Sequence, residues 1–566
     1  MAVHGIDLGT TNSCIARLDN AGNPQVVHDE NNASDTLASA IYVTEEGEYL
    51  VGAAAKEEAV THPESTFQFW KRYIGRTDIP DMPTYTANGR TYSPVELSQI
   101  VLEKIADYAR AAGEDVSDVV ITCPAYFDFG QREATRQAGQ LAGLNVLAVL
   151  NEPTAAALYY CVNRFNEQST RVLVYDLGGG TFDVSLIEVY MDGETRKVKV
   201  LATDGDFMLG GVDWDNCLFE LLLQKYAEQY GVTPDSIDEE LRREFRGQTE
   251  NTKQKLSRRD KATVKLAYEG DKIQVEVTRE EFEAATRHLL DQTVAMLDSA
   301  LGSAGCTDSD IDIVLMVGGS TKMPQVQEML NNRFGEKVQF NEPDLAVAKG
   351  AALVANILYE DTYMGEGGKG EGGSSSGDGK TCPGYNPEGE VSTKGTTIEI
   401  ENDVAPRSFG VGVLSDWEGQ DSVYVCDNIV KMNEPTPVGY TRTYYTPREN
   451  MKLIRVRLFE SKSLDDKLLP CLNANGEEQY VDPALDMKYR NSLEMPIPEG
   501  FNLPAGTEVI VDFGVDKTGT VSITVTVPAA NNTTKKAEFS FYEKLTQEQI
   551  DKAAEERESR VFIDGE

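Results

Sequence analysis

Histidine is scarce in this chain, and closely spaced cysteine pairs are missing. The chain holds four histidines among 566 residues, and its eight cysteines (Cys14, Cys123, Cys161, Cys217, Cys306, Cys382, Cys426 and Cys471) never fall at CxxC spacing. A zinc site or a disulfide framework is therefore not expected, and reduced thiols point to the cytoplasm. Basic residues are outnumbered, 53 against 93 acidic, and the formal charge of −40 argues against nucleic acid or an anionic membrane as partner. No apolar run approaches membrane-spanning length, and the first strand is entered by Gly5, so neither an anchor nor a signal peptide is expected.

What is present is organised around two similar stretches. Val174 to Glu188 (VYDLGGGTFDVSLIE) reads as an apolar strand ending in Asp176, a tip of Gly178, Gly179, Gly180 and Thr181, and a return strand. Gly5 to Leu18 (GIDLGTTNSCIARL) repeats it, with Asp7 at the strand end and Gly9, Thr10, Thr11 and Asn12 in the turn. Glycines let backbone N–H groups approach phosphate oxygens, and threonine hydroxyls add donors. An aspartate at each strand end would repel phosphate unless a cation lay between, so the pair implies Mg²⁺ held through waters. One such hairpin alone could equally be an ordinary turn with a solvated aspartate. Their repetition favours two similar lobes sharing a phosphate cleft.

Residues 1–360 alternate strands and helices, as an α/β region does. Lys71, inside FQFWKRYIGR, reads by itself as a snorkelling surface lysine. The strand Val119 to Tyr126 is broken by Pro124 and leads into a helix carrying Arg132. Glu152 closes a short strand just before a helix, placed either to hold a metal-bound water or merely to cap that helix. Gly210 and Gly211 open a long helix, and Glu250, Lys253, Gln254 and Ser257 share one face of another, a face that is most often only solvated. Gly318, Gly319, Ser320, Thr321 and Lys322 form a third glycine turn after a buried strand, suited to the nucleoside end of a ligand. Residues 361–402 are a Gly/Ser-rich linker, in which Gly379-Lys380-Thr381 imitates a P-loop without its leading glycine or strand. Residues 403–543 alternate apolar and polar positions as an all-β sandwich or barrel would, and 544–566 allow one short helix.

The ordered set IDLGTTNSC, WKRYIGR, CPAYF, NEPTAAAL, YDLGGGTFDVSL, GGVDWD and VGGSTKMPQVQ strongly resembles the seventy-kilodalton heat-shock chaperones of the DnaK type. That resemblance implies an α/β two-lobed, actin-like ATPase domain, followed by an all-β sandwich that binds peptide. It makes Gly9–Asn12 and Gly178–Thr181 the phosphate loops, and Asp7, Glu152, Asp176 and Asp183 the holders of Mg²⁺ through water, with K⁺ a further candidate ion. Lys71 becomes the catalytic lysine and Thr181 a γ-phosphate contact. Gly210, Gly211, Glu250, Lys253, Gln254, Ser257, the Gly318–Lys322 turn and Asp344 take ATP or ADP at its nucleoside side. Pro124 and Arg132 match the residues that relay nucleotide state. Val411, Val413, Leu414, Tyr444, Ile454 and Val456 align with the groove for extended apolar peptide.

The expected activity is ATP-dependent chaperoning of unfolded clients, with a J-domain protein and a nucleotide exchange factor as family partners. Four departures set an alternative beside it, a nucleotide-responsive scaffold without J-protein-driven cycling. The leucine-rich linker motif is Ile398 to Asp403 (IEIEND) here, and each leucine made polar costs a docking linker roughly 1.5 to 3 kcal/mol. Ala148 stands where many members carry a J-domain-docking arginine. Gln254 and Lys322 replace arginines that stack on adenine. The helical lid is not found after residue 543, so peptide is expected to exchange quickly in every nucleotide state.

Overall fold

A computed structural model of the chain describes residues 3–29, 34–76, 82–162, 169–193, 195–268, 270–340, 342–363, 391–393, 396–417, 420–468, 487–516, 520–539 and 545–564. Two mixed sheets form the first part. In one, the His4–Asp7 strand pairs antiparallel with Asn12–Leu18 and parallel with Asp118–Cys123, which pairs parallel with Asn145–Asn151. In the other, Thr170–Leu177 pairs antiparallel with Phe182–Asp192 and parallel with Ile313–Val317, which pairs parallel with Val338–Phe340. Each sheet thus starts from a hairpin and continues through parallel crossovers, the same design twice.

Continuous apolar runs explain the central strands, since a strand covered by helices on both faces has no wet side. Val172, Leu173, Val174, Tyr175 and Leu177 are all fully buried, at about 1.5–3 kcal/mol for each side chain removed from water. Tyr175 keeps its hydroxyl satisfied by donating to Thr293 Oγ1 at 2.7 Å. Small residues let the lobes join. The helices Glu152–Val162 and Ala346–Tyr363 meet through Ala155 and Gly350, where a Cβ on the glycine would lie 1.8 Å from the Ala155 carbonyl oxygen.

The described residues of the region expected to be all-β form two antiparallel sheets, one of five strands and one of four. Glu508–Val515 and Val521–Val527 alternate strictly, with Val509, Val511, Phe513, Val515, Val521, Ile523, Val525 and Val527 buried. Buried side chains from both sheets fall in one apolar cluster.

Two segments depart from expectation. The linker ends as a strand: Thr396–Val404 adds in parallel to Thr195–Asp206 at the edge of the second sheet, and its last residues pair with Pro435–Thr436 of the β-region. Main-chain hydrogen bonds make this attachment, so it needs no leucines at 401 and 402; the Gly-rich stretch 364–390, with its Gly379-Lys380-Thr381 imitation, lies outside the described residues. The tail also does more than form one helix. After the Gln547–Ser559 helix, Phe562–Ile563 pairs parallel with Tyr49–Val51. Among the described residues, no helix is long and apolar enough to cross a membrane.

Candidate nucleotide site

The two hairpin tips face each other across a cleft. A Cβ on Gly179 would come within 2.3 Å of the Thr11 side chain, and one on Gly180 within 2.2 Å of the Thr10 side chain. Only glycine allows that approach. Gly318, at φ 82°, turns the third loop beneath them, where a Cβ would meet the Leu177 carbonyl at 2.4 Å.

The space between holds about 380 Å³. Its walls include Asp7, Gly9 to Asn12, Lys71, Glu152, Asp176, Gly178, Gly179 and Thr181, together with Gly211, Glu250, Lys253, Gln254, Ser257, Gly318 to Ser320, Lys322 and Asp344. Gly180, Gly210 and Thr321 stand behind this lining: Gly210 packs against the backbone of Gly180, and Thr321 is fully buried, its hydroxyl donating to the Gly318 carbonyl at 2.6 Å. Asp183 likewise lies one layer back, its Oδ1 accepting from the Ala125 N–H at 3.1 Å.

Lys71 is not a surface lysine. It follows Phe69, whose φ of 63° is left-handed, and it sits in the Trp70–Tyr73 turn anchored by Trp70 Nε1 donating to Ser98 Oγ at 3.1 Å. Such strain in a non-glycine residue persists only where its surroundings hold it, commonly at functional sites. Lys71 is buried, and its Nζ donates to Glu152 Oε1 at 2.7 Å. The carboxylate at 152 is therefore more than a helix cap.

Burial and mutual repulsion shape the charges. Asp7 is pushed from 3.8 up to about 7 by burial first and by Glu152 second, with Lys71 pulling the other way. Asp176 and Asp183 lie well above the usual carboxylate range for the same two reasons. Burial alone would lower the Lys71 ammonium, but Glu152 and Asp7 outweigh it and leave its pKa raised. Asp183 Oδ2 is buried without a hydrogen-bond partner. Oxygen donors held too close for their charges fit a hard cation such as Mg²⁺. Among the described residues no three acidic, histidine or cysteine groups converge to ligate an ion directly, so the fit is to an ion held through waters and phosphate oxygens.

Several contributors were not legible as site residues. Arg72 bridges the lobes, its Nε donating to the Gly180 carbonyl at 2.7 Å and its guanidinium pairing with Asp213. Asp215 takes Lys253 Nζ at 2.8 Å, while the same ammonium donates to the Gly211 carbonyl at 2.8 Å. GGVDWD offered that signal, since Gly211 and Asp215 are one helical turn apart. At the mouth, Lys56 of the first lobe pairs with Glu250 of the second, and Lys322 pairs with Asp344.

Behind the phosphate end, Arg132 Nη2 donates to the Ala125 carbonyl at 2.8 Å and its Nε to the Phe127 carbonyl at 3.0 Å. The loop after Pro124 thus hangs between Asp183 and Arg132 and leads to Asp128. Asp128 Oδ2 accepts from Arg490 of the β-region at 3.1 Å, and the next residue, Phe129, stacks on Phe409 with centroids 5.5 Å apart. Thr203 N–H donates to Asn433 Oδ1 at 2.8 Å from the second lobe.

The groove candidates are distributed differently. Val411, Ile454 and Val456 are buried in the apolar cluster of the β-region, while Val413 and Tyr444 are half-buried at its margin; the Leu414 side chain lies outside the described residues. Tyr444 donates to Asp427 Oδ2 at 2.6 Å. Ala148 is fully buried and offers no docking surface.

Two lobes of repeated design thus close glycine-tipped hairpins and a buried lysine–carboxylate pair on one cleft. The Hsp70 family model matches residues 3–365. The chain belongs to the Hsp70 family, whose members are ATPases built on actin-like lobes and bind ATP or ADP with Mg²⁺. It is 40% identical over 387 residues to the chaperone protein DnaK of Stenotrophomonas maltophilia, which covers 63% of this chain and 60% of that relative.

Proposed function

We propose that this chain hydrolyses ATP in the cleft and binds extended apolar peptide in its β-region, with nucleotide state setting how tightly peptide is held. The buried Lys71–Glu152 pair, set among Asp7, Asp176 and Asp183 where the two hairpins meet, carries the reading. Backbone N–H groups of Thr10, Thr11, Gly179 and Gly180 are the proposed phosphate donors, since the Gly9 N–H already donates to Ser13 Oγ at 3.0 Å and the Gly178 N–H to the Thr181 carbonyl at 3.0 Å. Asp7, Glu152, Asp176 and Asp183 would hold Mg²⁺ through water, with K⁺ a further ion; when bound, such a cation neutralises phosphate charge. Lys71, kept protonated by its carboxylates, would orient the attacking water and counter charge developing on the transferred phosphoryl group, with Glu152 fixing its ammonium. Thr181 contributes a hydroxyl to the same group.

The two sheets of the β-region would act as a sandwich, with Val413 and Tyr444 the candidates for peptide contact. The Asp183–Ala125, Arg132–Phe127 and Asp128–Arg490 contacts support a relay from cleft to β-region through Pro124 and Arg132. That continuity favours a coupled chaperone over an uncoupled scaffold. Client peptides, a J-domain protein and an exchange factor are the partners proposed from the family.

Fluorescence anisotropy of a labelled apolar peptide tests the reading. The probe is titrated with Lys71→Ala protein in ATP and with unmodified protein in ADP. The substitution should abolish hydrolysis while ATP still binds. Peptide affinity should differ by at least tenfold, about 1.4 kcal/mol of coupling. Equal affinities would leave two independent domains, and undiminished turnover would remove Lys71 from the chemistry.

A further inference from the structure

Residues 556–564 make contacts that neither the cleft nor the peptide groove uses. Phe562 pairs with Tyr49 and Ile563 with Leu50 along a sheet edge of the first lobe, and the Tyr49 N–H donates to the Val561 carbonyl at 2.9 Å. Arg560 forms an ion pair with Glu103 in which the side chains are only 4% and 2% exposed. The same guanidinium lies 5.4 Å from the Tyr49 ring. Glu103 Oε1 also accepts from Gln99 Nε2 at 2.8 Å. Beside it, Lys104 pairs with Asp564 at 3.1 Å and sits 5.6 Å from the Phe562 ring. Upstream, Arg557 Nη1 donates to the Leu141 carbonyl at 3.3 Å and Glu556 pairs with Arg90 at 3.0 Å.

These parts make a receptor. A strand edge offers unpaired N–H and C=O groups to any extended peptide. A buried carboxylate selects an arginine, because a buried charge without its partner is far costlier than the pair. An aromatic contact and a lysine then read the next positions as aromatic and acidic.

We infer that the first lobe carries a second peptide-docking site, formed by the Tyr49–Val51 edge with Glu103 and Lys104, whose occupant is the chain's own Arg560–Asp564 segment. Bound in this way, the segment straps the far end of the β-region to the first lobe. The site takes an extended peptide of the form arginine, any residue, aromatic, aliphatic, acid. Its occupant is tethered, so the effective concentration is high and an untethered peptide competes poorly.

The test uses the full chain and a fluorescein-labelled peptide of residues 557–566. The double variant Arg560→Ala, Phe562→Ser releases the strap, and labelled peptide should then bind at least about tenfold more tightly than to the unmodified chain. Adding Glu103→Gln should abolish that gain; Lys104→Glu, at the less buried neighbouring position, serves if Glu103→Gln does not fold. Hydrogen exchange at the Tyr49 amide should also speed about tenfold in the released variant, with the Thr170–Leu177 strand unchanged. Equal peptide affinity in released and unmodified chains overturns the inference, as does binding that survives the receptor substitutions. So does an acceleration spread through Thr170–Leu177, which would make the segment part of the global fold and not a strap.

Discussion

Lys71 and Asp7 show how much of a site's chemistry comes from exclusion of water. Asp7 is raised from 3.8 to about 7, so its protonated form contributes stability that is complete below the unfolded value and is lost as pH rises through about 7. Asp7→Asn keeps a neutral group there at every pH. In the nucleotide-free protein this variant should gain on the order of 2 kcal/mol over the unmodified chain near neutrality, and the two should converge near pH 4. Thermal unfolding across that range checks it, and loss of hydrolysis should accompany the gain. The sequence did not disclose Lys71's burial: FQFWKRYIGR has the look of a snorkelling lysine, and only the left-handed Phe69 and the Trp70–Ser98 bond turn the side chain inward. Ile454 teaches the reverse lesson. Its alternation with Arg455 correctly marks a buried face, but because that face lies in the apolar cluster, Ile454→Asp would bury a carboxylate and unfold the β-region without probing a peptide groove.

At the scale of elements, the hairpins were the most legible parts, since a glycine tip between two apolar strands marks a tight turn and its repetition marks two similar lobes. Their spatial meeting was not legible, because it depends on parallel crossovers between residues far apart in sequence. It yields a prediction that one isolated hairpin would not. Gly179→Ala should force the Thr11 side chain away and weaken ATP binding by at least about tenfold, read by calorimetry, while leaving the fold's melting transition within a few degrees. Unchanged affinity would mean that the tips have room to part. The end of the linker departs from expectation for a related reason. Its composition between 361 and 390 is that of a flexible coil, and the polar residues at 401 and 402 look unable to dock, yet a strand docks by its main chain whatever those side chains are.

For the whole molecule, contacts between the β-region and the first lobe converge on Asp128, which caps the Phe129–Leu141 helix and meets Arg490. Arg490 also pairs with Glu460, a buried carboxylate. Arg490→Ala should therefore reduce the ATP-to-ADP difference in peptide affinity by at least about threefold without altering ATP affinity, in the same anisotropy titration. A full difference retained would place the coupling elsewhere. The strand Thr396–Val404 adds a mechanical constraint. Its upstream residues are bonded to Thr195–Asp206 of the second lobe, and Asp403 and Val404 are bonded to Pro435–Thr436. One continuous backbone thus serves as a rung in two ladders, with no slack between them. Because side chains alternate faces, it can move along either ladder only in steps of two residues if Ile400 is to stay buried. A slip of one residue would turn Ile400 out of its apolar cluster, so a displacement that keeps the register must carry both ladders together.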